Sequence, residues 1–279
     1  MAIISFWGIQ HGLGVTSSTA ATAALIGMEY QVRSLVSQPQ WSDNTLQRIF
    51  QKTIQHQNPQ GFQTSGGLDA LERAVRSGRF ERESVKNNSL ILVPDRLDIL
   101  KGTTKADRGQ FDDASEVINL IYQKATEYYD LVLLDLHSGR NSPVVLEALN
   151  QSDLIVVCLS QNINVLERFF LQREQQPEAF QNKPFVILLS QYDEDSKFKV
   201  KNICNKYRYK GPVFTMPYNT SFKDHSNDGE ILSFFRRNQQ LTKFHPNRFF
   251  IEESRKLALH ILNESGINTQ VKQISGKGA

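Results

Sequence analysis

The chain has 279 residues, 39% of them hydrophobic, and a formal net charge of +3. That apolar content can build a sizeable core in one large α/β domain or two small ones. So small a charge excludes a uniformly basic nucleic-acid-binding chain, leaving at most a local patch. Two cysteines, Cys158 and Cys204, make no disulfide framework. Cys158 lies in an apolar run, where a buried thiol is expected. No apolar run is long enough to cross a bilayer, and the first residues lack the basic and apolar regions of a leader, so a cytoplasmic protein is expected.

In chain order, "IISFWG" from Ile3 reads as the first strand, followed by a helix over 16–29 and a weaker strand, "RSLVS", from Arg33. Residues 51–66, rich in Gln, Asn and Gly, read as a surface loop. A helix over 67–77, the strand "SLILVP" from Ser89 and a helix over 115–127 come next. "DLVLLDL" from Asp130, "DLIVVCLS" from Asp153 and "FVILLSQ" from Phe185 are further strands, separated by helices over 143–150 and 164–174. A charged turn from Tyr192, a helix over 197–207, a weaker strand "PVFTMP" from Pro212 and a helix over 247–264 complete the set. Most of these strands are apolar throughout, so helices should cover both of their faces. Right-handed strand–helix–strand connections then give a doubly wound, mostly parallel α/β sheet. A single domain over 1–265 with a polar, frayed tail over 266–279 is expected.

The first strand runs into "GIQHGLGVTSS", a glycine-rich turn ahead of a helix. In the phosphate-loop motif G-x-x-x-x-G-K-[ST], glycines let backbone N–H groups close on phosphates, lysine neutralises them and the hydroxyl binds magnesium. The turn resembles the deviant loop of the ParA/MinD family, K-G-G-x-G-K-T-[ST], with Gln10, His11, Gly12, Leu13, Gly14, Val15, Thr16 and Ser17 in its eight places. Both lysines are absent. Valine at 15 supplies no charge to a β- or γ-phosphate, while Gly12, Gly14 and the following helix N-terminus keep a cradle that favours an anion.

Further along, "YYDLVLLDLHSGR" resembles the family's second signature, and Asp135 takes the place of its Walker B aspartate. The resemblance implies that Thr16 and Asp135 would hold magnesium if ATP or ADP were bound. The loop from His137 to Gly139 would sense the terminal phosphate, but it lacks the family's prolines. Where the family carries acids at its second strand, this chain has Val36 and Gln38, followed by the family's Pro39 and Gln40. At the adenine-recognition strand it offers Ser190 and Gln191. The nucleotide-binding set, if retained, is therefore Gly12, Leu13, Gly14, Val15, Thr16, Ser17, Asp135 and Gln191, with no catalytic residue assigned.

The resemblance thus implies a ParA/MinD-type P-loop fold stripped of its operating charges. It points to a catalytically impaired scaffold or spatial organiser of a cytoplasmic or membrane-associated machine, with protein partners and a homodimer surface. A slow ATPase using a displaced cation such as Arg140 is the alternative. A DNA-binding partition protein is a second, resting on "RRNQQLTKFHPNRFF" from Arg236, although the charge balance disfavours nucleic acid as a partner. The last helix can also be read as a membrane-surface element, but its acids favour docking on the core, which makes Phe249 and Phe250 packing residues. Scattered histidines give no zinc spacing, His11 is expected to face solvent, and the acidic turn at 193–195 lacks a calcium pattern.

Overall fold

The structure, a computed structural model, describes residues 1–41, 45–57, 66–105, 107–172, 174 and 176–269. Eight strands among them form one sheet: β1 (Ala2–Gly8), β2 (Ser34–Ser37), β3 (Leu90–Val93), β4 (Leu97–Leu100), β5 (Leu131–Asp135), β6 (Leu154–Leu159), β7 (Phe185–Tyr192) and β8 (Val213–Pro217). Their order is β3-β4-β2-β5-β1-β6-β7-β8. All neighbours are parallel except β3 and β4, which pair antiparallel at the edge.

The central strands β1, β2, β5 and β6 are buried at every residue. Parallel strands need crossover helices, and those helices cover both faces, so a continuous apolar run is what such strands require. The helix Val15–Glu29 is nearly all small or apolar and is buried from Ser18 to Gly27. Its Gly27 has a reason: a Cβ there would lie 2.9 Å from the Cβ of Leu97, so helix and β4 approach too closely for any side chain. Arg255 on the last helix, Arg248–Glu264, donates to both carboxylate oxygens of Glu29, at 2.6–3.0 Å, and ties the two helices together.

Several expectations are corrected. Strand β4 has no counterpart among the predicted elements, because four residues with Asp98 in their midst carry little signal. Asp98 is accommodated by the Tyr129 hydroxyl, which donates to it at 2.8 Å. The predicted loop at 51–66 begins instead with the helix Gln51–Gln57, anchored by buried Ile54; residues 58–65 lie outside the described residues. In β3, Ile91 is exposed, since an edge strand has an uncovered face. The helix predicted to reach 174 ends at Leu171. Helices Thr220–Asn227 and Ile231–Arg237 add a layer of phenylalanines, with Phe222, Phe234 and Phe250 in mutual ring contact. The last helix docks on the core through Phe250, Ile251, Leu257, Ala258, Ile261 and Leu262, but Phe249 is exposed and is not a packing residue. The expected tail falls outside the described residues from 270 onward.

Candidate functional site

Parallel α/β sheets expose the C-terminal ends of their strands as a common edge, and ligands bind there. In this sheet β1 ends at Gly8, β5 at Asp135, β2 at Ser37 and β7 at Tyr192. The glycine-rich turn, the aspartate, Gln38 and Gln191 are therefore gathered at one end of the molecule.

The turn doubles back tightly. A Cβ on Gly8 would meet Val15 Cγ2 at 3.1 Å and Leu13 Cδ1 at 3.4 Å. Gly12 and Gly14 have φ of 80° and 70°, the left-handed region that glycine enters without strain. Gly14 stands at the N-cap of the first helix and makes no side-chain cap, leaving the first-turn N–H groups available. Leu13 and Val15 fold beneath the loop into the core; Val15 is only 7% exposed. The side chain at the family's lysine position thus packs against Gly8 and carries no charge. Gln10 is exposed and accepts from Arg168 Nη1 at 3.4 Å.

Beside the loop is a cavity of about 690 Å³. Gly14, Thr16 and Ser17 line one side; Ser190 and Gln191 come from the end of β7, the latter with a φ of 51°. Arg48 and Lys223 supply two cations to its wall. Of the sequence-derived set, Gly14, Thr16, Ser17 and Gln191 share this cavity, whereas Gly12, Leu13, Val15 and Asp135 do not line it.

Asp135 is fully buried, at 0% exposure. Gln38, 4% exposed, donates from Nε2 to Asp135 Oδ2 at 2.6 Å and to Thr45 Oγ1 at 3.0 Å, and its Oε1 accepts from the Leu46 N–H at 3.2 Å. The amide links the ends of β2 and β5 to the helix Thr45–Ile49, which also carries Arg48.

The loop after β5 is pinned to β1. The Gly139 N–H donates to the Gly8 carbonyl at 2.9 Å, and Trp7 Nε1 donates to the Gly139 carbonyl at 2.8 Å. Over it, the His137 ring lies between Trp41, at 4.9 Å, and His11, at 4.6 Å, and the Arg108 guanidinium covers Trp41 at 5.1 Å. His11 is exposed as expected, yet engaged. Burial lowers the pKa of His137; the Ser138 carbonyl opposes this, and the nearby His11 and Arg108 reinforce it. Cys158 is buried as expected, and desolvation pushes its thiol up to about 12. No sequence pattern signals the ring stack, Arg48 or Lys223, which are brought together by tertiary contacts. For Gln38 there is one signal, its place where the family has an acid.

No protein-family model and no curated protein sequence matches the chain. Its three-dimensional likenesses are extensive. A ParA family ATPase from Chlorobium tepidum TLS superimposes with a TM-score of 0.69 at 15% identity, covering 93% of this chain and 99% of that one. The septum site-determining protein MinD from Pyrococcus horikoshii OT3, in complex with Mg-ADP, gives 0.63 at 15% identity over 94% and 98% of the two chains. Apo McdA of Cyanthece gives 0.64 at 12% identity over 93% and 99%. At such identities the likeness is one of architecture, and the protein has the P-loop fold of the ParA/MinD ATPases.

Proposed function

We propose that the chain is a catalytically impaired protein of ParA/MinD type. In this reading it is a scaffold or spatial organiser for a cytoplasmic or membrane-associated machine, with protein partners and a homodimer surface. Its cavity admits a nucleotide such as ADP or ATP without turning it over. The observation that carries this reading is the fate of position 15. Phosphoryl transfer depends on fixed positive charge against the transferring group, and here that place holds a buried valine packed on Gly8. Gln38 likewise replaces an acid with an amide, leaving no second carboxylate there to orient a water.

The organising role is supported by the pinned loop after β5. A segment that would move with phosphate state is hydrogen-bonded to β1 and covered by the Trp41–His137–His11 stack. In this reading any membrane association comes through partners; no helix of the described residues is long and apolar enough to cross a membrane.

The test is phosphate release from ATP and magnesium by the wild type and by Asp135→Ala. We expect the two to be indistinguishable at background. Turnover in the wild type that Asp135→Ala abolishes would overturn the proposal in favour of a slow ATPase with a displaced cation.

A further inference from the structure

We infer that the Gln38 amide takes the place a divalent cation would have beside Asp135, so that a nucleoside diphosphate in the adjoining cavity is held without metal. This rests on the reading that the cavity retains nucleotide. Magnesium requires oxygen ligands in near-octahedral array, with carboxylates accepting from the ion or its waters. Asp135 Oδ2 instead accepts from a neutral N–H donor at 2.6 Å. That amide cannot turn its oxygen towards a cation without breaking its bonds to Asp135, Thr45 and Leu46. Residue 38 therefore offers magnesium no oxygen ligand, and Oδ2 of Asp135 is already engaged by the amide.

The cavity itself suits an anion without metal. Among its described lining residues are two cations, Arg48 and Lys223, and no acid. Ser18 and Ser190, 1% and 3% exposed, also line it and set two hydroxyls close to Gly14 at the helix N-terminus. The positive charge on its wall comes from Arg48, on the helix Thr45–Ile49, and from Lys223. Both lie on exposed parts of the wall, where substitution leaves the core intact.

Calorimetric titration with ADP, in EDTA and then in millimolar magnesium, tests the inference. Expected are dissociation constants that agree within about twofold, and about tenfold weaker binding in EDTA for the Arg48→Gln, Lys223→Gln double variant. Gln38→Asp, which returns a carboxylate beside Asp135, should bind ADP at least about tenfold more tightly with magnesium than without. Wild-type binding that appears only with magnesium would overturn the inference and leave the retained site standing. Absence of ADP binding under both conditions would remove the retained site as well. If Gln38→Asp does not fold, the wild-type comparison and the Arg48, Lys223 variant decide the matter, and a double variant binding as tightly as wild type would refute the charge assignment.

Discussion

Replacing Gln38 by methionine isolates the buried amide–carboxylate bond. Methionine keeps a similar unbranched length but removes both donors and the acceptor. A hydrogen bond to a charged group contributes about 1.5–3 kcal/mol, and the lost acceptor for the Leu46 N–H about 1 kcal/mol more. With Nε2 at 2.6 Å from Asp135 Oδ2 and both side chains out of solvent, a value of about 2 kcal/mol for that bond plus about 1 kcal/mol for the Leu46 N–H gives a cost of about 3 kcal/mol for Gln38→Met. For a chain of this size that corresponds to a fall of roughly 6–12 °C in Tm. Urea unfolding of Gln38→Met, Asp135→Leu and the double variant gives the coupling directly, and about 2 kcal/mol is expected. Asp135→Asn should be milder than Gln38→Met, because its amide oxygen still accepts from Gln38. A cost for Gln38→Met below about 1 kcal/mol, or no coupling in the cycle, would refute the view that this amide compensates the carboxylate.

Three other outcomes follow from the same geometry. Gly14→Ala meets both a left-handed φ of 70° and the Ser190 Cβ at 3.1 Å, whereas Gly12→Ala, at φ 80°, meets open space. Thermal unfolding should show Gly12→Ala losing about 1 kcal/mol and Gly14→Ala clearly more. The lowered pKa of His137 means that the unfolded chain takes up the proton first. Stability should then fall as pH drops through about 6.5 and level off below the folded-state value, and urea midpoints of His137→Gln should lack this slope. A thiol reagent under native conditions at about pH 8 should spare Cys158, whose thiol is buried and held up to about 12. Modification should appear there only on unfolding, and labelling of folded Cys204→Ser would contradict the buried site.

The amino-acid sequence by itself determined the class of this protein. Uninterrupted apolar runs at β1, β5, β6 and β7, each followed by a helix-spaced segment, leave few arrangements other than a covered parallel sheet, because such runs must be buried on both faces. Glycine at 12 and 14 likewise announced a backbone turn that other residues resist, and valine at 15 announced a missing charge. Tertiary structure alone decided the rest. Asp98 becomes tolerable in β4 only because Tyr129, 31 positions away, donates to it. Gln38 reads in sequence as a lost acid, and only the meeting of β2 with β5 turns it into the partner of Asp135, 97 positions on. Arg48 and Lys223 reach one cavity from helices that no local pattern places side by side. Local periodicity reports which face of a segment is buried; which polar atoms then satisfy one another depends on contacts between distant segments, and these exist only once the sheet has formed.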